Sequence, residues 1–145
     1  MADHANPETR AAFVQALGHG LAESGFVAVQ NHGVPLDLIS DGYARARQLF
    51  GLDVGVKRQY ENPENGRQRG YTSFGVEHAK HTTLPDLKEF WHVGRTLLDG
   101  HRLHRSGDVP RNLWPEELPE FKDTFMRLFD EMDDFAFRLL ASFGE

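Results

Sequence analysis

The 145-residue sequence contains no cysteine. Disulfide bonds, thiolate catalysis and metal sites built on cysteine are therefore excluded. The sequence also has no apolar run near the roughly 20 residues that cross a bilayer, and its first residues, MADHANPETR, contain no apolar signal core. These absences predict a cytoplasmic protein.

Clustered basic residues are missing as well. Sixteen Lys and Arg stand against 22 Asp and Glu, which gives a net charge of −6. A nucleic-acid or anionic-membrane surface needs a block of Lys and Arg. We therefore expect neither nucleic acid nor membrane as a partner. The remaining composition, 39% hydrophobic and 26% charged, is typical of one ordinary globular domain.

The first 25 residues predict a helix. Asn6 is suited to be its N-cap and Pro7 its first residue, and Gly25 can end it in the left-handed conformation. An apolar stripe at helical spacing consists of Phe13, Ala16, Leu17, Gly20 and Leu21.

A strand and a second helix are predicted next. Residues 26–29, Phe-Val-Ala-Val, are β-branched or aromatic and predict a strand buried on both faces. Residues 31–33, Asn-His-Gly, predict a turn, and Pro35 then opens a helix. Further along we expect a short helix after Asp53.

The middle of the chain is less regular. Residues 62–66 predict a polar loop, and residues 70–76 and 86–95 predict extended segments. A loop rich in Gly, Arg and His then leads to Pro115.

The last element is predicted to be a helix about 40 Å long. Its apolar residues follow a 3.6-residue period: Leu118, Phe121, Phe125, Leu128, Met132, Phe135, Leu139 and Phe143. Each phenylalanine can bury on the order of 150–250 Å². The short elements before it can hardly cover that surface, so something else should pack against this helix.

Four motifs occur in order: ESGFVAVQNHGVP at 23–35, GYTSFGVE at 70–77, DLKEFW at 86–91 and NLWPEELPEF at 112–121. With them the chain resembles the N-terminal region of the non-haem iron, 2-oxoglutarate-dependent oxygenases of the isopenicillin-N-synthase-like group. The signature residues that match are Gly25, Phe26, Asn31, His32, Gly33, Pro35, Gly70, Lys88 and Glu89. The resemblance implies an α+β fold: the N-terminal helix and strand portion of a double-stranded β-helix (jelly-roll) oxygenase, ending in a long helix.

Two parts of the family pattern are not found in residues 1–145. Family members usually begin with a strand of IPxIDL type, and a catalytic jelly roll follows the long helix. A complete member binds Fe(II) through two histidines and one carboxylate, the first two ligands being His-x-Asp or His-x-Glu. No histidine here has an acid two residues later: His4, His19, His32, His78, His81, His92, His101 and His104. The Arg-x-Ser that holds 2-oxoglutarate is also not found, so we expect no catalytic residue, metal or cofactor in this chain.

Other metal chemistry has weaker support. Glu89-x-x-His92 matches the spacing of di-iron bundles, but the site requires facing helices and residues 86–95 look extended. The histidines between 78 and 104 leave a standalone metal-binding protein as a third hypothesis. His32 lies in the signature, where we expect it to hydrogen-bond within the turn.

Substrate contacts are predicted around the GY motif. An arginine beside a tyrosine suits a carboxylate, so Arg69, Tyr71 and Phe74 are candidates to contact substrate in a complete enzyme. The alternative is a surface arginine beside a packed tyrosine. Ion pairs are expected of Glu77, Lys88 and Glu89, with little net energy if they are exposed.

The sequence leaves two main hypotheses. In the first, the chain is the scaffold and substrate-entrance portion of an oxygenase that acts on a small molecule, and it is inactive alone. In the second, it is a stable interaction module, whose helix at 118–143 binds a separate catalytic jelly-roll half or a second copy of itself.

Overall fold

A computed structural model of the protein describes residues 5–143. The chain divides into two compact units. Of the described residues, one unit comprises 5–39 together with 130–143, and the other comprises Ser40–Phe129. The described residues are rich in helix, with one small sheet.

The described helices are α1 (Arg10–Ser24), α2 (Leu36–Phe50), α3 (Val54–Arg58), α4 (Arg102–Arg105) and α5 (Pro119–Ala141), with a 3₁₀ turn at Pro63–Asn65. Strands β1 (Gly70–Thr72) and β2 (Phe90–His92) pair antiparallel, with Tyr71 opposite Trp91. No described helix is both long and apolar enough to span a membrane.

In the first unit, α1 begins later than expected. The Asn6 carbonyl accepts hydrogen bonds from the amides of Thr9 and Arg10, and its side chain accepts from the Glu8 amide at 3.0 Å. Asn6 therefore closes a turn ahead of the helix instead of capping its first residue. At the other end the prediction is confirmed: Gly25 has φ 73°, and its N–H donates to the Leu21 carbonyl.

The predicted strand at 26–29 is wrong. These residues are irregular, and Phe26 is 84% exposed. A strand requires a neighbouring strand for its backbone hydrogen bonds, and no described strand pairs with this segment. The Ser24 hydroxyl instead donates to the Phe26 carbonyl at 2.9 Å.

The turn at 31–33 is confirmed. Asn31 and Gly33 both have positive φ, 54° and 88°. The His32 ring accepts a hydrogen bond from the Val34 amide at 3.0 Å, as expected, and the Arg138 guanidinium donates to the His32 carbonyl. Helix α2 then begins directly after Pro35, also as predicted.

The second unit has an aromatic core around β1 and β2. Tyr71 and Phe121 are fully buried. The Trp91 ring lies 5.6 Å from that of Phe121 and 5.4 Å from that of Tyr60, and Phe121 stacks on Phe125 at 4.3 Å. The sheet is therefore packed against the first turns of α5.

Hydrogen bonds fix the segment before α5. The Asn112 side chain accepts from the Gly94 amide at 2.9 Å and donates to the Gly94 carbonyl at 2.7 Å. The Tyr60 hydroxyl accepts from the Glu116 amide and donates to the Glu117 carboxylate, both at 2.8 Å. The NLWPEE motif is thus held to β2 and to the loop after α3.

The other predicted elements are present with changed bounds. Asp53 caps α3 by accepting from the Gly55 amide at 2.7 Å, which confirms the short helix. The sequence predicts extended structure for 70–76 and 86–95, but in each segment only three residues form a strand. Gly75, with φ 77°, turns the chain away after β1.

Helix α5 has 23 residues, about 35 Å, so it is slightly shorter than predicted. Its start belongs to the second unit, where Phe121 is buried. Its end belongs to the first unit, where apolar side chains are more than half exposed: Met132, Phe137, Leu140 and, just past the helix, Phe143. The described structure therefore leaves the apolar surface near this end uncovered.

Candidate functional site

The second unit contains a buried polar cluster made of Lys57, Tyr71 and Glu89. The Lys57 ammonium donates to the Glu89 carboxylate at 2.8 Å and to the Phe50 carbonyl at 2.9 Å. The Tyr71 hydroxyl donates to the same carboxylate oxygen at 2.5 Å. Helix α3 supplies Lys57, β1 supplies Tyr71, and Glu89 directly precedes β2, so the cluster ties three elements together.

The charges and hydrogen bonds of this cluster stabilise the fold. Burial raises the pKa of the Tyr71 hydroxyl, and the hydrogen bond to Glu89 raises it further. Tyr71 therefore remains a protonated donor at neutral pH. The ion pair expected of Glu89 is confirmed, but its partner is the buried Lys57. The sequence offered no signal for this pairing, because Lys57 lies 32 residues away.

Lys88 makes the exposed ion pair that the sequence suggested. Its ammonium lies 2.8 Å from the Glu77 carboxylate and 3.4 Å from that of Asp86. The hydrogen bond to Glu77 raises the pKa of Lys88. Because these side chains are about half exposed, the pairs contribute little to stability.

The three candidate substrate residues have different surroundings. Tyr71 is fully buried and bound to Glu89, whereas Phe74 is largely exposed. The Arg69 guanidinium lies directly against Gly94, where a Cβ atom would overlap it, and donates to the Gln68 carbonyl at 2.6 Å. Its Nε is buried without a hydrogen-bond partner, and burial lowers the pKa of Arg69. Contact with substrate remains a prediction for all three, with Arg69 and Phe74 the ones that retain accessible surface.

The histidines within 5–143 do not converge on a metal site. Among the described residues, no group of three His, Asp or Glu side chains could hold a metal ion. The di-iron spacing is not realised either, because Glu89 binds Lys57 while the His92 ring lies 3.0 Å from the Arg67 carbonyl. The described side chains do not fit a catalytic Fe(II), and no reaction step can be assigned to them through iron.

The second unit also contains a cavity of about 230 Å³, not predicted from the sequence, between the segment after β2, α4 and the start of α5. Its lining is basic. The sequence does contain a sign of this basic lining: residues 95–111 include four arginines and two histidines but only two aspartates.

The fold described above agrees with the known proteins to which this chain is similar. The chain belongs to the non-haem dioxygenase family through its N-terminal region, because the family described as "non-haem dioxygenase in morphine synthesis N-terminal" matches residues 1–117. The resemblance carried by the four motifs is confirmed.

Among its relatives, a 2-oxoglutarate-dependent dioxygenase of an Acremonium species is 31% identical over 97% of this chain and 43% of that protein. Validamycin A dioxygenase of Streptomyces hygroscopicus subsp. limoneus is 30% identical over 83% of this chain and 34% of its own length. The solved structure of a 2OG-Fe(II) oxygenase family protein from Caulobacter crescentus is 36% identical, with a TM-score of 0.78 over 90% of this chain and 42% of that one. The chain therefore spans less than half the length of these proteins.

Proposed function

We propose that these residues form the scaffold and substrate-entrance portion of a 2-oxoglutarate- and Fe(II)-dependent oxygenase acting on a small molecule. The observation that carries the proposal is the match of residues 1–117 to the family's N-terminal region. In a complete member, iron and 2-oxoglutarate would activate O₂, the oxidant, for hydroxylation, desaturation or ring closure of the substrate. The residues described here would support the catalytic portion and form part of the substrate entrance.

The structural contribution follows from the second unit. The Lys57–Glu89 pair and the aromatic core fix β1 and β2, and β1 lies immediately after Arg69. The Arg69 guanidinium is held against Gly94, which limits its range of positions. A partly buried arginine fixed in this way is suited to orient a carboxylate on a substrate.

We further propose that these residues do not turn over 2-oxoglutarate alone. The support is the lack, among the described residues, of a side-chain group that could seat iron. The test is to incubate the purified chain with Fe(II), 2-oxoglutarate and ascorbate and to measure succinate, with a complete relative as positive control. We expect no more succinate than without protein. Succinate well above that background would overturn this part of the proposal.

A second candidate function is an interaction module that binds a separate jelly-roll half or another copy of the chain. The observation in its favour is the exposed apolar group near the end of α5: Met132, Phe137, Leu140 and Phe143. A module should be folded alone or as a defined oligomer. A scaffold separated from its catalytic portion should aggregate or show molten behaviour, such as binding of hydrophobic dyes or poor dispersion of NMR signals. Sedimentation and an NMR spectrum of the purified chain distinguish the two.

A further inference from the structure

We propose that the basic cavity of the second unit binds a small organic acid. Arg111 and Lys122 would hold the carboxylate, and the apolar body would lie against Trp114 and Met126. This site goes beyond the proposed function, since it involves neither iron nor the predicted substrate residues around Arg69.

The lining of the cavity carries one sign of charge. Three of its nine lining residues are the cations Arg95, Arg111 and Lys122, and none is Asp or Glu. The whole chain has a net charge of −6, so this concentration of basic groups is local. A concave site lined by one sign of charge raises the local concentration of ions of the opposite sign.

Two of the cations are suited to receive a ligand. Lys122 makes no ion pair with any described residue. The Arg111 guanidinium lies 2.7 Å from the Asp99 carboxylate, but Asp99 is outside the lining and the two side chains are 66% and 86% exposed. An ion pair this exposed is weak. A carboxylate bound in the cavity can therefore replace Asp99 as the partner of Arg111.

The walls of the cavity are held in place by hydrogen bonds. The two ring nitrogens of His104 lie 2.7 Å from the Val109 carbonyl and 3.4 Å from the Leu97 carbonyl. Asn112 is fixed by its two hydrogen bonds to Gly94. Neither side chain needs to move to admit a ligand, which reduces the entropy lost on binding.

The other walls favour an acid with an apolar body. Trp114 and Met126 lie beside the cations, and aromatic and thioether side chains are common in small-molecule sites. The volume of about 230 Å³ is below the roughly 300–1,000 Å³ of pockets for drug-sized ligands. An arylacetate therefore matches the site in charge, size and polarity.

The test is an NMR titration of the ¹⁵N-labelled chain with phenylacetate, followed at the indole N–H of Trp114, which is assigned by its loss in Trp114→Phe. Phenylacetamide has the same shape without the charge, and 2-oxoglutarate has charge without the apolar ring. We expect a saturable shift with phenylacetate and binding at least about tenfold weaker with the other two compounds. Equal affinity for phenylacetamide would overturn the role of the cations. Equal affinity for 2-oxoglutarate would overturn the role of the apolar wall.

Matched variants locate the site. Lys122→Gln and Arg111→Gln should each weaken phenylacetate binding by about threefold, since each removes one partly exposed charge pair with the carboxylate. Lys80→Gln makes the same change at an exposed position outside the cavity and should leave the affinity unchanged. Circular dichroism checks that all variants are folded. No saturable shift in the parent chain, or unchanged affinity in both cavity variants, would overturn the proposal.

Discussion

At the scale of single residues, the most consequential contact is the one between Lys57 and Glu89. Lys57 is a buried ammonium, and three groups compensate for its lost hydration: the Glu89 carboxylate, the Phe50 carbonyl and the face of the Tyr71 ring at 5.6 Å. Removing the carboxylate would leave a buried charge without its counter-charge.

Glu89→Ala should therefore lower the free energy of unfolding by about 3–5 kcal/mol, because the Lys57 ammonium remains buried and unpaired. Urea denaturation measures this. Glu77→Ala is the matched control, since it removes the same kind of side chain from an exposed Lys88 pair and should produce no measurable loss. Equal losses in the two variants would show that burial of the Lys57 pair has no special effect.

The raised pKa of Tyr71 gives a prediction for alkaline pH. Between the ordinary tyrosine pKa of about 10 and the higher folded value, the unfolded chain loses a proton that the folded chain retains. Stability from this group is therefore fully present below about pH 10 and falls as the pH rises further. Tyr71→Phe should make the decline above pH 10 shallower when urea denaturation is repeated across that range. An identical decline in both proteins would contradict this assignment.

At the scale of elements, the start of β1 depends on glycine. Gly70 has φ 79°, and a Cβ atom there would overlap the Tyr60 carbonyl and lie 2.8 Å from the Leu113 side chain. The loop after α3 and the NLWPEE segment thus both approach the backbone at this residue. Position 70 requires glycine both for its backbone angle and for lack of space.

Gly70→Ala should destabilise the chain by more than backbone strain alone. Gly100 provides the control: its φ is 78°, but a Cβ atom there meets no other atom within 4 Å. We expect Gly100→Ala to lower the unfolding free energy by about 1–2 kcal/mol and Gly70→Ala by about 1–3 kcal/mol more. Thermal and urea denaturation measure both losses. Equal losses would mean that the close contacts at Gly70 can relax.

The elements also show what could be predicted from sequence. Helices α2, α3 and α5 were predicted because periodicity and caps such as Asp53 are local signals. The prediction of a strand at 26–29 was wrong. The composition of this segment indicates only a tendency to form a strand, and a strand also needs a neighbouring strand to pair with. For the same reason β1 and β2 are shorter than their extended-looking sequences.

The candidate site was predictable only in part. The motif at 86–91 indicated an ion pair for Glu89, and the GY motif drew attention to Arg69 and Tyr71. The sequence could not show that Tyr71 would bind Glu89, nor that Lys57 would join them. Those contacts depend on how α3 packs against the sheet, and no short pattern encodes packing between residues so far apart in the chain.

For the whole molecule, two observations bear on the role of α5: the chain spans only part of a related structure, and apolar side chains near the end of this helix are exposed. The chain spans 42% of the Caulobacter oxygenase, and within the first unit Phe137 and Leu140 are each 62% exposed. Large apolar side chains grouped on a surface commonly mark a site of interaction. We infer that other protein packs against this end of α5.

Replacing both Phe137 and Leu140 by serine should reduce self-association and hydrophobic dye binding, because it removes apolar groups that face solvent. The unfolding free energy should change by only about 0.5 kcal/mol per site, as at exposed positions generally. Phe121→Ser, in the buried core, is the contrasting variant and should lose about 3–5 kcal/mol. Sedimentation velocity and dye fluorescence give the readouts. Unchanged association in the double-serine variant would exclude this surface as its cause.

We propose that the described residues provide a frame for oxygenase chemistry without the donor atoms that seat iron. Anaerobic equilibrium dialysis of the purified chain against Fe(II), with and without 2-oxoglutarate, tests it most directly. We expect bound iron far below one equivalent per chain, and no increase with 2-oxoglutarate. One tightly bound iron per chain, strengthened by 2-oxoglutarate, would contradict the account.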